Sequence, residues 1–283
     1  MTVDNDSLTA EVLFDQISES YEDAYGGNVR LEKSLGRLKD YHGSGASILD
    51  VGCGPGGPAS YLANSKFCVT GFDVSQSMIN SCQKNIAGTF YKADMATFEP
   101  TQQFDAVVSL LSMFQMSYTA SYSMTFKMTS WLHPGGTLIL GTVLAEDIVK
   151  YLARVKGSDE YVERYGVEFM GRVVPSTLIT MKGWLSMAQE AGLVIHFVER
   201  HSFNRNGIEG KEEQTFITAQ KTHQEPLFGP YPLPNSRRRP HLLTQKAWQP
   251  FAERLTRHEF KAALRAVEDN KEVLDIGSGH GGE

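Results

Sequence analysis

From residue 47 onward, short apolar runs alternate with longer stretches that have the spacing of helices. The runs are four to six residues long and mostly rich in Val, Ile, Leu or Phe: Ser47–Val51, Phe67–Phe72, Thr89–Lys92, Ala106–Leu111 and Thr137–Thr142. They do not alternate strictly between apolar and polar residues, which is typical of strands buried on both faces of a parallel sheet. The stretches between them are long enough for crossover helices. This order predicts an α/β fold with a doubly wound sheet.

The segments on either side of this core complete the predicted architecture. Residues 8–41 carry apolar side chains at three- and four-residue intervals, interrupted by a pair of glycines, and predict N-terminal helices. Residues 146–185 do not fit a crossover connection and are interpreted as a cap or insertion over the carboxyl edge of the sheet. Leu193–Val198 and Gln214–Ala219 predict two further strands around a short polar loop. The sheet, mostly parallel, is therefore expected to end in an antiparallel pair.

The C-terminal part of the chain changes in composition and contains an internal repeat. Five prolines fall within residues 221–240, a density that predicts an extended linker after a first domain of residues 1–220. ILDVGCGPGG at residues 48–57 and VLDIGSGHGG at residues 273–282 match at six of ten positions. Residues 241–283 are therefore expected to form a helix and the truncated start of a second, similar domain. The alternative is a tail that packs on the first domain or on a neighbouring chain.

Composition excludes several classes of function. The 283 residues carry 27 basic and 33 acidic side chains, which argues against a nucleic-acid-binding protein, and Arg237–Arg239 is interpreted as a solvated charge run. No apolar run approaches the roughly 20 residues that span a bilayer, and the N-terminus lacks the features of a signal peptide. The three cysteines lack metal-type spacing. We expect a cytoplasmic protein with no membrane segment, metal or disulfide.

A glycine-rich turn and three acidic residues mark one edge of the predicted sheet. Asp50, at the end of the first strand, opens the sequence DVGCGPGG, whose glycines let the backbone approach a ligand at the start of the next helix. Asp73 and Asp94 follow the next two strands. Asp73 could accept hydrogen bonds from the ribose hydroxyls of an adenosine-containing ligand, or it could cap the following helix. A cap or turn role is also open for Asp94.

Five segments, in this order and spacing, resemble the class I S-adenosylmethionine-dependent methyltransferases: ILDVGCGPGG, GFDVSQSMI, YKADM, FDAVVSLLSMF and WLHPGGTLIL. The resemblance covers about residues 10–220 and is specific as a set, because a glycine-rich turn alone is weak evidence. It implies a Rossmann-like sheet of seven strands whose last strand is antiparallel. It also implies that S-adenosyl-L-methionine is the cofactor.

The resemblance implies roles for individual residues. The methionine part of the cofactor would lie against Asp50 and the turn formed by Gly52, Cys53 and Gly54, and Asp73 would bind the ribose. The residues expected around the adenine are Val74, Met78, Asp94 and Met95. Those expected near the sulfonium are Ser109 and Leu110, through their backbone, and Tyr21, which would close over the cofactor.

The expected reaction is an in-line transfer of a methyl group to a small-molecule acceptor. Its site is expected between the N-terminal helix, residues 113–118 and the insertion, whose aromatic side chains suit a planar or apolar molecule: Tyr151, Tyr161, Tyr165, Phe169 and Trp184. Gln115 and Tyr118 lie near this site in the sequence, although packing would explain them equally well. No catalytic base is assigned, because His133 is interpreted as a solvated turn residue and both His196 and His201 as structural histidines.

Two other functions remain open at this point. A catalytically silent domain would bind the cofactor through Asp73 and the glycines, lack an acceptor pocket, and regulate or dimerise with a partner. An NAD-dependent oxidoreductase would use the spacing of Gly52, Gly54 and Gly57, but Asp50 would then place a buried charge at the end of the first strand. The expected partners are a small-molecule acceptor and either a second methyltransferase-like domain or a second copy of the chain.

Overall fold

The computed structural model describes residues 9–149, 159–206 and 210–222. The predictions for residues beyond 222, which include most of the linker and the second domain, and for Tyr151 lie outside the described residues. The helices are α1 (Ala10–Tyr25), α2 (Val29–Gly36), α3 (Leu38–Tyr41), α4 (Gly57–Asn64), α5 (Gln76–Asn85), α6 (Tyr118–Ser130), α7 (Ala145–Ile148) and α8 (Met181–Glu190). The strands are β1 (Ser47–Val51), β2 (Cys68–Asp73), β3 (Thr89–Lys92), β4 (Phe104–Leu110), β5 (Leu132–Thr142), β6 (Tyr161–Phe169), β7 (Arg172–Ile179), β8 (Leu193–Asn204) and β9 (Lys211–Lys221).

Seven of these strands form one sheet in the order β3-β2-β1-β4-β5-β9-β8. Strands β1 to β5 pair in parallel, whereas β9 is antiparallel to both of its neighbours, β5 and β8. The predicted doubly wound, mostly parallel sheet with an antiparallel last strand is thus confirmed. The direction of strand order reverses between β1 and β4, which leaves a crevice at their carboxyl ends, where ligands bind in folds of this type.

Both faces of the sheet are covered by apolar side chains, as the lack of strict alternation in the strands predicts. Neighbouring residues of β1 illustrate this: Ile48 packs in the cluster under α2, α4 and α5, while Leu49 packs in the cluster under α6 and α8. Val107 and Val108 of β4 divide between the same two clusters. Successive side chains of a strand point to opposite faces, so a strand buried on both faces is apolar at most of its positions.

Short polar side chains set where several helices begin. The first amides of these helices donate to the side chain of the preceding residue, which satisfies groups that have no partner within the helix. The residues that cap in this way are Thr9, Asn28, Ser75, Ser117 and Thr180. Among the described segments, no helix combines the length and the apolar character needed to cross a membrane.

The segment interpreted as a cap contains a separate antiparallel hairpin, β6–β7. Val174 of β7 is buried against Leu13 and Ile17 of α1, so the hairpin packs on the N-terminal helix. The prediction for Trp184 was wrong, because this residue belongs to α8 and is buried in the main core rather than among the residues of the hairpin. Helix α1 and the hairpin together stand beside the carboxyl ends of the parallel strands.

Candidate functional site

The turn after β1 is built on glycines with positive φ, which other residues rarely adopt. The φ angle is +69° at Gly52 and +53° at Gly54. The amides of Gly52 and Cys53 donate to the carbonyl of Phe72 over 2.9 and 3.0 Å, which fixes the turn to the end of β2. A Cβ at Gly52 would lie 2.5 Å from the Cβ of Ser112, whereas a Cβ at Gly54 would meet nothing within 4 Å. The turn therefore has no room for a side chain at Gly52, whereas the space beside Gly54 is open.

Asp50, the penultimate residue of β1, is a buried acid for which the described residues supply no hydrogen-bond donor. Its exposed fraction is 1%, and neither carboxylate oxygen has a hydrogen-bond partner among the described residues. Burial, and to a lesser extent the charge of Asp73, raises the pKa of Asp50 to about 7. A buried carboxylate with no donor is unfavourable. Its chemistry fits a cationic donor that would arrive with a ligand.

Asp73 ends β2 and accepts hydrogen bonds from two backbone amides. Gly54 donates to Oδ2 over 3.0 Å, and Ser75 donates to Oδ1 over 2.9 Å. Burial raises the pKa of Asp73, while these amide hydrogen bonds act in the opposite direction. The alternative role of helix cap falls to Ser75, whose hydroxyl accepts from the amide of Met78 over 3.2 Å. Asp73 therefore braces the glycine turn and does not cap α5.

A cavity of about 390 Å³, the large cavity, lies over the carboxyl ends of the parallel strands. The predicted site residues that line it are Tyr21, Gly52, Gly54, Asp73, Val74, Met78, Asp94, Met95 and Leu110. Asp50 and Cys53 line a neighbouring cavity of about 110 Å³, which also contacts both glycines. Ser109 lines neither of them, and its hydroxyl is hydrogen-bonded to that of Ser112 at 2.8 Å. The structure thus brings all but one of the predicted residues to two adjoining cavities.

The loop after β3, which carries Asp94, is held in place by a buried lysine that sequence reasoning missed. Asp94 is exposed, and its Oδ1 accepts from the amide of Ala96 over 2.8 Å. Lys127 of α6 is 6% exposed, and its Nζ donates to the carbonyls of Ala96 and Phe98 over 3.0 and 2.9 Å. The same Nζ lies 3.0 Å from Oε1 of Glu99. A lysine in a helix is usually solvated, so nothing in its spacing signals this role.

Asp15 fastens α1 beside the large cavity, and this contact was also missed. Its Oδ1 accepts from the hydroxyl of Ser75 over 2.5 Å and from the amide of Ser77 over 3.2 Å. These hydrogen bonds, the one from Ser75 above all, lower the pKa of Asp15. An exposed ion pair between Glu11 and Lys92 adds a second contact. A negative side chain at the start of α5 is also favoured by the helix dipole.

A further cavity of about 80 Å³, the apolar cavity, is lined by residues of α1, of the segment after β4 and of the hairpin. It shares four lining residues with the large cavity: Phe14, Tyr21, Leu111 and Gln115. Burial raises the pKa of the Tyr21 phenol above its ordinary value, and that of Tyr25 to about 12. Both phenols therefore stay protonated at neutral pH.

Only some of the residues predicted near the acceptor line the apolar cavity. Phe169 lines the apolar cavity, as does Gln115. Tyr118 is 2% exposed, its hydroxyl donates to Oε2 of Glu160 over 2.8 Å, and its ring stacks on that of Tyr161 at 3.9 Å. Tyr118 and Tyr161 are therefore packing residues. Among the described residues, no histidine lines these three cavities, and no cluster of His, Cys, Asp or Glu could hold a metal ion.

Residues 48–136 match the family described as "Methyltransferase domain". The chain is 42% identical over 74 residues to the fatty-acid O-methyltransferase of Mycolicibacterium smegmatis, which is 24% of this chain and 27% of that protein. It is 30% identical over 118 residues to the malonyl-[acyl-carrier protein] O-methyltransferase of Enterobacter lignolyticus, which is 41% of this chain and 46% of that protein. The chain spans half or less of the length of the curated relatives it matches.

Among solved structures, the N-methyltransferase NodS of Bradyrhizobium japonicum in complex with S-adenosyl-L-homocysteine aligns with a TM-score of 0.54. The alignment covers 74% of this chain and 98% of that one at 19% identity, so the likeness concerns the fold. The resemblance drawn from the five sequence segments is confirmed. Residues 48–136 therefore belong to the methyltransferase family, and the sheet that contains them has the class I S-adenosylmethionine-dependent methyltransferase fold.

Proposed function

We propose that this chain transfers the methyl group of S-adenosyl-L-methionine to a small, largely apolar acceptor. One observation carries the proposal: the large cavity and the apolar cavity share the wall formed by Phe14, Tyr21, Leu111 and Gln115. A cofactor in the first cavity and an acceptor in the second would therefore lie next to each other along these four residues. Methyl transfer is an in-line displacement whose rate depends on the alignment of its partners, and adjoining cavities favour that alignment.

The chemistry of the glycine turn fits the methionine part of the cofactor. The ammonium group of an amino acid would supply the donor that both oxygens of Asp50 lack. The open face at Gly54 would leave room for the chain of the ligand to pass close to the backbone. Cys53 would contribute through its backbone, because its Sγ is buried 3.9 Å from the Sγ of Cys82.

The rest of the large cavity fits an adenosine. Asp73 uses one lone pair of each oxygen for an amide, and a carboxylate has further lone pairs for ribose hydroxyls. Val74, Met78 and Met95 would pack on the adenine, and Asp94 at the rim would accept from its amine. The volume of about 390 Å³ lies within the range of about 300–1,000 Å³ that is typical of small-molecule sites.

The cofactor, when bound, supplies an activated methyl group together with its leaving group. The residues of the chain would then orient the nucleophile and exclude water. Tyr21 lines all three cavities and is placed to close their junction. Because burial raises the pKa of its phenol, Tyr21 would donate a hydrogen bond at neutral pH and would not act as a base.

The proposal is tested by calorimetric titration of the chain with S-adenosyl-L-homocysteine, with NAD as the control ligand. We expect micromolar binding of S-adenosyl-L-homocysteine and no binding of NAD. The variant Asp73→Ala should bind S-adenosyl-L-homocysteine at least about tenfold more weakly, which corresponds to about 1.4 kcal/mol. Failure of the folded chain to bind S-adenosyl-L-homocysteine would overturn the proposal. Binding of NAD instead would favour an oxidoreductase.

The two alternatives gain no support from the described residues. A silent domain was expected to lack an acceptor pocket, whereas an apolar cavity adjoins the large one. In the dinucleotide-binding pattern the third glycine allows close packing of the helix on the strand. A Cβ at Gly57 would meet nothing within 4 Å, so packing does not require a glycine there. A second domain or a second copy of the chain as partner stays a prediction.

A further inference from the structure

Gln115 lies where the large cavity and the apolar cavity meet. It stands between the end of β4 and the start of α6 and lines both cavities. Its Oε1 atom is buried and has no hydrogen-bond partner among the described residues. Buried side-chain acceptors in proteins are nearly always paired, because an unpaired one has lost its water without compensation. The position therefore fits a donor that arrives with a ligand.

Two other polar side chains around the apolar cavity, Ser176 and Glu212, are already engaged. The hydroxyl of Ser176 donates to the carbonyl of Val174 over 3.2 Å. The carboxylate of Glu212 accepts from the hydroxyl of Tyr25 over 3.4 Å and from the side-chain Nε2 of Gln214 over 2.7 Å. These groups do not need a partner from the ligand. Among the four residues shared by the two cavities, Gln115 has the buried oxygen that no described residue satisfies.

The charge of the two cavities limits the acceptor further. None of the described residues that line them is Lys, Arg or His. An acceptor carboxylate would lose its water, meet the lone pairs of the Gln115 oxygen and find no cationic side chain, which is unfavourable. A hydroxyl or amine would instead donate a hydrogen bond to that oxygen. The environment therefore favours a nucleophile that carries a hydrogen.

We infer that Gln115 determines acceptor specificity by accepting a hydrogen bond from the N–H or O–H of an amine or hydroxyl on an apolar body. The inference rests on the proposed function and narrows it. In the reaction, an amine that arrives as an ammonium first loses one proton to water. A lone pair of the nucleophilic nitrogen or oxygen then forms the new bond to the methyl carbon while the carbon–sulfur bond breaks. The electron pair of that bond leaves with sulfur as a neutral thioether, and the proton of the nucleophile passes to water. Gln115 orients the nucleophile and takes no proton.

The test uses the chain saturated with S-adenosyl-L-homocysteine and four probes that share a phenylethyl body. The probes are 2-phenylethanol, its methyl ether, 2-phenylethylamine and 3-phenylpropanoate, and the measurement is the dissociation constant of each. The alcohol and its ether differ mainly in the donor hydrogen. We expect the unmodified chain to bind the alcohol and the amine at least about tenfold more tightly than the ether and the carboxylate.

The variant Gln115→Leu should abolish the difference between alcohol and ether, and Gln115→Glu should retain it, because a carboxylate still accepts. Ser176→Ala is the matched control: its hydroxyl is engaged within the protein, so the difference should persist. Equal binding of alcohol and ether to the unmodified chain, or an unchanged difference in Gln115→Leu, would overturn the inference, as would failure of all four probes to bind. Loss of S-adenosyl-L-homocysteine binding by the unmodified chain would instead overturn the proposed function.

Discussion

The amide of Gly54 donates to Oδ2 of Asp73 over 3.0 Å, so the turn after β1 is held by the carboxylate that ends β2. The two residues are 19 positions apart in the chain, and the parallel pairing of β1 with β2 brings them to one edge of the sheet. Asp73 therefore has a role in the fold as well as the proposed role in ribose binding. For a substitution of Asp73, both the stability of the chain and its ligand affinity therefore have to be measured.

We expect Asp73→Asn to lower both the stability of the chain and its affinity for the ligand. An amide at this position has one oxygen instead of two, so it cannot accept from Gly54 and Ser75 and still serve two ribose hydroxyls. Calorimetry should show at least tenfold weaker binding of S-adenosyl-L-homocysteine, or about 1.4 kcal/mol. The melting temperature of the ligand-free variant should also fall. The exposed residue Asp40 offers a control, since Asp40→Asn should change neither quantity.

The buried carboxyl of Asp50 predicts how stability depends on pH. Its pKa in the folded chain is about 7, against an ordinary value of 3.8, so the folded chain keeps a proton that the unfolded chain has lost. This stabilising contribution is complete below about pH 4 and is lost as the pH rises to about 7. Urea denaturation of the ligand-free chain should show a free energy of unfolding that decreases between pH 5 and pH 8.

Asp50→Asn should flatten this dependence and raise the free energy of unfolding at pH 8 by about 1–3 kcal/mol, because the variant buries no charge. The same variant should bind S-adenosyl-L-homocysteine at least about tenfold more weakly at pH 8, since it cannot pair with an ammonium group as an anion. An unchanged slope of stability against pH in Asp50→Asn would show that other groups produce the dependence. Tight binding by the variant would remove Asp50 from the proposed site.

The sequence predicts those parts of the site that depend on local order along a strand. Asp50 and Asp73 each lie at the carboxyl end of an apolar run, and a parallel sheet brings such ends together. The sequence does not show which of Gln115 and Tyr118 lines a cavity and which packs in the core, because these roles depend on residues distant in the chain. Glu160 and Tyr161 hold Tyr118 in the core, while Gln115 lines a cavity together with residues of α1 and the hairpin. The hairpin itself escaped prediction because charged residues interrupt the apolar residues of β6, so that they form no continuous run.

Lys127 predicts a coupling between α6 and the loop that carries Asp94. Its Nζ holds the carbonyls of Ala96 and Phe98, and removing a buried charge partner leaves these acceptors unsatisfied. We expect Lys127→Met to lower the free energy of unfolding by about 3 kcal/mol and to weaken binding of S-adenosyl-L-homocysteine. The control is Lys182→Met, because Lys182 pairs with Asp159 at the surface and such pairs contribute less than about 1 kcal/mol. Equal losses in the two variants would contradict this reading.

Gly56 and Gly57 form a matched pair that tests why the turn contains glycine. Gly56 has a φ of +99°, and a Cβ there would lie 2.2 Å from Cδ1 of Ile86 and 2.9 Å from Sγ of Cys82. Backbone strain of about 1–3 kcal/mol and overpacking of about 1–3 kcal/mol should therefore add up in Gly56→Ala. Gly57 is exposed at the start of α4, and a Cβ there would meet nothing within 4 Å.

Gly57→Ala should keep or slightly raise the free energy of unfolding, by up to about 1 kcal/mol, because alanine restricts the unfolded chain more than glycine does. Denaturant titration of both variants measures the contrast directly. Equal destabilisation would mean that both glycines are needed for close packing, as the dinucleotide-binding pattern of the oxidoreductase alternative requires. The expected contrast would show that the fold requires glycine at position 56. It would also show that the fold does not require glycine at position 57, whose spacing from Gly52 and Gly54 would then have no structural cause.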